Sequence, residues 1–113
     1  MAKGKVAVCT GSGRPGGLGE AILRRFGEEG YRLVVTDVDG AGSSHLAKPD
    51  EMASVAESLR SQGTDVLSHG CDVRSAESVK QLFDVVMEHF GRVDVLVNNC
   101  LLYTSDAADD CEG

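Results

Sequence analysis

Val6-Ala-Val-Cys-Thr-Gly-Ser-Gly-Arg-Pro-Gly-Gly-Leu-Gly19 is the stretch whose reading decides the fold. Lys5 to Cys9 is an apolar run of the length expected for a fully buried strand. The glycines after it can take positive φ or let a ligand approach the backbone closely. Leu18, Ile22 and Phe26 then recur at helical spacing, with Ala21 and Arg25 between them, so a helix is predicted to open near Gly17. Its first N–H groups and positive dipole end point back at the loop, which makes a phosphate cradle that needs no cationic side chain. A glycine cluster taken alone is equally well a plain tight turn.

The run Arg32-Leu-Val-Val-Thr-Asp37 adds the context. It ends in an acid roughly twenty residues past the glycines, where a dinucleotide fold places the carboxylate that accepts hydrogen bonds from the adenosine ribose. Strand, glycine loop, helix, strand and acid in that order predict dinucleotide binding.

The remaining chain alternates in the same way. Val38 to Ala47 reads as an irregular connection, and Pro49 with Asp50 and Glu51 signals a helix whose buried stripe is Met52, Val55, Ala56 and Leu59, stopped by Gly63. Thr64 to His69 is a third, less apolar strand, after which Cys71-Asp-Val-Arg turns outward. Ser75 caps a helix in which Val79, Leu82, Phe83, Val86, Met87 and Phe90 form a stripe read as core contact with a sheet, and Gly91 ends it. Val93-Asp-Val-Leu-Val97 is a fourth strand, apolar enough to be central, delivering Asn98 and Asn99 at its carboxyl end. The expected fold is α/β: a Rossmann-type, doubly wound parallel sheet with right-handed crossovers, truncated after about four strands.

Length and composition fit one small soluble domain. No apolar stretch reaches membrane-spanning length and no signal-like segment follows Met1, so a cytoplasmic location without membrane contact is expected. The formal charge of −7 argues against nucleic acid as partner. It is lopsided, because Asp106, Asp109, Asp110 and Glu112 lie in a segment with no basic residue. Cys9, Cys71, Cys100 and Cys111 have neither metal-ligand nor redox spacing and read as reduced thiols; His45, His69 and His89 likewise have no ligand spacing, so no metal is expected.

Thr10-Gly11 with Gly17-Leu18-Gly19, then Asp37, Cys71-Asp72-Val73 and Asn98-Asn99, resembles the successive cofactor motifs of the short-chain dehydrogenase/reductase family. The resemblance covers residues 3 to 99 and makes 1–99 the NAD(P)-binding Rossmann portion of such an enzyme. It implies that Gly11, Gly17, Leu18 and Gly19 line the pyrophosphate, Asp37 the ribose, and Asp72 and Val73 the adenine, with Asn98 and Asn99 bracing the strand ends. Read without the resemblance, Asp72, Asn98 and Asn99 are also ordinary turn residues. A carboxylate at Asp37 would repel a 2′-phosphate, so NAD is favoured over NADP, although Arg14 could offset that repulsion if it reaches the ribose rather than solvent.

Two departures from the family pattern stand out. Between Gly11 and Gly17 the chain carries Ser-Gly-Arg-Pro-Gly, two residues more than the usual loop, and Pro15 removes one N–H donor. The family's Ala-Gly after the paired asparagines is replaced by Cys100-Leu-Leu-Tyr-Thr-Ser-Asp-Ala-Ala-Asp109, ten consecutive residues that look like the translation of a transposase-type sequencing-library adapter (TGT CTC TTA TAC ACA TCT GAC GCT GCC GAC). Residues 100–113 are therefore expected to be a non-native tail.

The family's Tyr-x-x-x-Lys pair is not found: neither Tyr31 nor Tyr103 has a lysine four residues on, so no catalytic residue is assigned. The resemblance implies the cofactor-binding front part of an oxidoreductase acting on a small alcohol or carbonyl, inactive as this fragment, from a homo-oligomeric parent. The alternative is an NAD-binding regulatory or sensing domain without catalysis. A methyltransferase is disfavoured by the Thr-Gly start and the paired asparagines, and a phosphate-transfer loop by the lack of Gly-Lys-Ser/Thr. With no following strand against Val93 to Val97, the isolated chain is expected to be marginal or aggregation-prone.

Overall fold

The computed structural model describes residues 4–38 and 49–99. Four strands and three helices alternate: β1 (Val6–Cys9), α1 (Leu18–Glu28), β2 (Arg32–Val35), α2 (Pro49–Arg60), β3 (Val66–Ser68), α3 (Ala76–Phe90) and β4 (Val95–Val97). All neighbouring strands are parallel, in the order β3-β2-β1-β4. Ala7 stands between Leu33 and Val95, and Cys9 between Val35 and Val97.

The period of two along the strands sorts side chains onto two faces. Ala7, Cys9, Leu33 and Val35 meet Leu23 of α1 and Val55, Ala56 and Leu59 of α2. Val6, Val8 and Val34 meet Leu82 and Val86 of α3. The first two crossovers run one way across the sheet, and the third returns past β1 to place β4 on its far side. With right-handed connections this reversal puts α3 on the opposite face, so the sheet is doubly wound and the direction switches between β1 and β4. That switch point is where such sheets bind ligands, outside the carboxyl ends of the strands.

Local signals act as their chemistry requires. Ser75 Oγ accepts the Ser78 N–H at 3.2 Å and caps α3. Gly91 ends α3 in the left-handed conformation, φ +82°. Met52, Val55, Ala56 and Leu59 are all buried, as the α2 stripe predicts. Leu18, beside the glycine loop, is 65 % exposed, and Leu23 fills the core position of α1. Two expectations need correction. Met87 is half exposed, because α3 turns the line of Val79, Leu82, Val86 and Phe90 toward the sheet. β4 is an outer strand among the described residues, with Leu96 45 % exposed, while β1 and β2 are the interior strands. No helix among the described residues is long and apolar enough to cross a membrane. The expected tail, residues 100–113, and the connection through His45 lie outside the described residues.

Candidate functional site

The loop from Thr10 to Gly17 leaves β1 at the switch point. Thr10 N–H donates to the Val97 carbonyl at 3.0 Å, so the loop starts fastened to β4. Gly11 takes φ +66°, and a Cβ there would overlap the Asn99 carbonyl oxygen. A Cβ on Gly19 would lie 2.6 Å from Ser12 Cα, 2.9 Å from Asn99 Nδ2 and 2.9 Å from the Gly11 oxygen. These two glycines let α1, the loop and the end of β4 approach more closely than any side chain permits. The extra residues form a turn: Gly17 N–H donates to the Arg14 carbonyl at 3.1 Å across Pro15 and Gly16, with Gly16 at φ +78°. Proline followed by a positive-φ glycine is the signature of a type II turn, so the insertion is absorbed without breaking α1.

The two helix starts differ. α3 has its serine cap, whereas α1 begins after Gly17 with no side-chain cap. The first amides of α1 have no intrahelical partner and stand at the positive end of the helix dipole.

A buried polar cluster holds this edge together. Ser12 N–H donates to the Thr36 carbonyl at 2.9 Å, Ser12 Oγ donates to the Cys9 carbonyl at 2.7 Å, and Thr36 N–H donates to Ser12 Oγ at 3.1 Å. Asn99 N–H donates to Thr10 Oγ1 at 3.1 Å, and Asn99 Nδ2 donates to the Gly11 carbonyl at 3.1 Å. Asn99 thus ties β4 to the glycine loop, while Asn98 beside it is exposed and makes no such bond. Ser12 and Thr36 were invisible as site residues in the sequence. The usable signal for Ser12 is a hydroxyl between glycines where a buried strand ends.

Asp37 is 4 % exposed. Its Oδ2 accepts the Gly13 N–H at 3.0 Å and its Oδ1 accepts the Val38 N–H at 2.8 Å. Burial, with the nearby Asp37 charge, pushes the Cys9 thiol up to about 12. Asp72 lies at the opening of α3, where both its oxygens pair with the Arg74 side chain at 3.1 and 3.2 Å and Oδ1 also accepts the Arg74 N–H at 3.0 Å. These bonds hold its carboxyl below the usual carboxylate range. Val73 next to it is 45 % exposed. Tyr31 lies at the opposite end of the sheet, packed edge-on against Phe26 at 4.9 Å between ring centres. An open groove runs along the outside of α1 past Glu20, Arg24 and Glu28, and the pairing of Glu20 with Arg24 at 2.9 Å leaves it no converging free groups.

The residues present fit a dinucleotide. The cradle is one that a Cβ at Gly11 or Gly19 would fill, and the first amides of α1 are left without a cap. Of the buried side-chain polar atoms without a partner among the described residues, Arg14 Nη2 on the loop and Thr36 Oγ1 at the end of β2 lie at this edge, while Arg32 Nη2 and Gln62 Oε1 lie away from it. A profile of the short chain dehydrogenase family matches residues 5–111. The chain belongs to the short-chain dehydrogenase family. It is 35 % identical over 96 residues to glucose 1-dehydrogenase 2 of Bacillus subtilis strain 168, covering 85 % of this chain and 33 % of that protein. The fold superposes on L-sorbose reductase of Gluconobacter frateurii, complexed with NADPH and L-sorbose, with a TM-score of 0.75 and 34 % identity, covering 90 % of this chain and 35 % of that one. Carveol dehydrogenase of Mycobacterium avium in complex with NAD gives a TM-score of 0.79 at 28 % identity, covering 92 % and 38 %. The chain spans about a third of the length of the curated relatives it matches.

Proposed function

We propose that this chain is the cofactor-binding part of an NAD(P)-dependent oxidoreductase that interconverts a small alcohol and a carbonyl. The observation that carries the reading is the uncapped start of α1 behind a loop in which Gly11 and Gly19 are sterically obligatory. Gly11, Gly17, Leu18 and Gly19 would present backbone to the pyrophosphate, Asp37 would accept from the ribose, and Asp72 and Val73 would border the adenine. Asn99 would keep the loop closed on β4, with Asn98 exposed at the same edge. The bound dinucleotide supplies the hydride; this chain's residues bind and orient it. Substrate, turnover and assembly belong to the longer enzyme. Asp37 favours NAD, since its carboxylate repels a 2′-phosphate. The orphaned Arg14 Nη2 supports a second reading, in which the guanidinium receives that phosphate.

Calorimetric titration of the chain with NAD+ and NADP+ tests both readings. Binding of NAD+ alone supports the first. Binding of NADP+ that is lost in Arg14→Ala supports the second, and binding of neither overturns the proposal. Residues 100–113 we propose to be a translated adapter, although the family match runs on to residue 111. Amplifying source DNA from Lys3 past Asn99 decides it. A gene continuing with Ala-Gly and a later Tyr-x-x-x-Lys supports the oxidoreductase, and a gene that encodes Cys100 onward as given overturns the adapter reading.

A further inference from the structure

We propose that Asp37 is a positioning residue as well as a ribose acceptor: its carboxylate latches the lengthened glycine loop to the end of β2, and the cradle keeps its shape while that latch holds. The inference rests on the proposed dinucleotide cradle for its functional meaning, but the latch itself is a property of the unliganded chain.

The loop between Gly11 and Gly17 has few backbone anchors of its own. Gly17 N–H closes the Pro15-Gly16 turn onto Arg14, and Ser12 N–H reaches Thr36. The apex is held from outside by two carboxylates: Asp37 Oδ2 takes the Gly13 N–H at 3.0 Å, and Glu20 Oε1 takes the Gly16 N–H at 2.6 Å. The Glu20 contact is open to solvent, whereas the Asp37 contact is buried, where a charge-assisted bond is stronger. Asp37 is also bonded on the side of the sheet. Its Oδ1 holds the Val38 N–H at 2.8 Å, and its main-chain oxygen accepts the Cys71 N–H at 2.9 Å, so the carboxylate is anchored to the sheet before it touches the loop. Each carboxylate oxygen keeps a further lone pair. Asp37 can therefore receive a ribose hydroxyl without releasing Gly13, and one carboxylate registers the ribose against the pyrophosphate.

A latch and a pure ribose acceptor predict opposite signs for a ligand that lacks ribose hydroxyls. Removing a negative charge near a diphosphate should by itself strengthen binding. Removing a latch lets the loop open and weakens it.

The test uses the full 113-residue chain, native-state amide exchange at Gly13, and titration with 2′,3′-dideoxyadenosine 5′-diphosphate. The expected result is a protected Gly13 amide in the unliganded protein. In Asp37→Ala that protection should be lost and the dideoxy ligand should bind about tenfold more weakly, the scale of one lost charge-assisted bond. Asp37→Asn has one acceptor oxygen for the two N–H groups, Gly13 and Val38, that the carboxylate serves, and it lacks the charge; Gly13 protection should fall between that of the parent chain and that of Asp37→Ala. A Gly13 amide that exchanges like a free loop in the parent chain overturns the latch, as does unchanged or tighter dideoxy binding in Asp37→Ala. If Asp37→Ala does not fold, the parent exchange rate and Asp37→Asn decide between the same outcomes. Failure of the parent chain to bind any adenine nucleotide while Gly13 stays protected refutes the cofactor reading and leaves the latch standing.

Discussion

Adding one methyl group at Gly19 probes the packing on which the cradle depends. Gly19 is the second residue of α1, and an alanine there gains up to about 1 kcal/mol of helix propensity. Against this, its Cβ would meet Ser12 Cα at 2.6 Å, with Asn99 Nδ2 and the Gly11 oxygen both at 2.9 Å. Two of the three are backbone atoms and cannot swing aside. Overpacking of this kind costs about 1–3 kcal/mol. Separating Asn99 Nδ2 from the Gly11 carbonyl, 3.1 Å apart, forfeits about 1 kcal/mol more. Gly19→Ala should therefore destabilise the chain by about 1–3 kcal/mol net, or roughly 4–8 °C in Tm per kcal/mol for a domain of about 100 residues. Gly27→Ala on the same helix is the control: its Cβ meets chiefly Gln62 Oε1, at 2.6 Å, the far end of a flexible side chain. It should change stability by less than about 1 kcal/mol. Urea unfolding followed by circular dichroism measures both variants. A Gly19→Ala protein as stable as its parent would refute the argument that this glycine is required by close approach.

Other outcomes follow from the same contacts. Ser75→Ala should cost about 1 kcal/mol in the same unfolding assay, because the Ser78 N–H loses its acceptor at 3.2 Å. The Asp72 carboxyl should titrate below its ordinary value of 3.8 in a carbon-13 experiment, and Arg74→Ala should bring it back up. Its contribution to stability is present above that ordinary value and is lost as pH falls through the lower folded-state value, so the parent chain should weaken in that acid window more than Arg74→Ala does. The Cys9 thiol should resist alkylation at neutral pH until the chain unfolds. As pH rises from 9.0 toward about 12 the unfolded chain sheds a proton that the folded chain keeps, so stability should decline there, less steeply in Cys9→Ala. Rapid labelling of Cys9 in the folded protein would contradict its burial.

The alternation of apolar runs with helical stripes determined the parallel α/β order by itself, because strand and helix periods are local properties of the chain. Ser75 and Gly91 were legible for the same reason: a cap and a left-handed terminus depend on a few neighbouring residues. The sheet order was not local. β1 lies between β2 and β4 through register bonds to Arg32–Val35 and Val95–Val97, which no short window of sequence contains. The same limit explains Leu18 and Met87, apolar at stripe positions yet exposed, since a periodic pattern does not say how wide a face the sheet will cover. It also explains the difference between adjacent asparagines. Asn99 points back into Thr10 and Gly11 while Asn98 faces outward, a choice set by the alternation of side chains at the end of β4. The glycine spacing and the acid at Asp37 were readable from sequence because their offsets are short-range. Only the tertiary structure joined them, by folding the end of β2 against the loop so that a buried carboxylate meets the Gly13 amide.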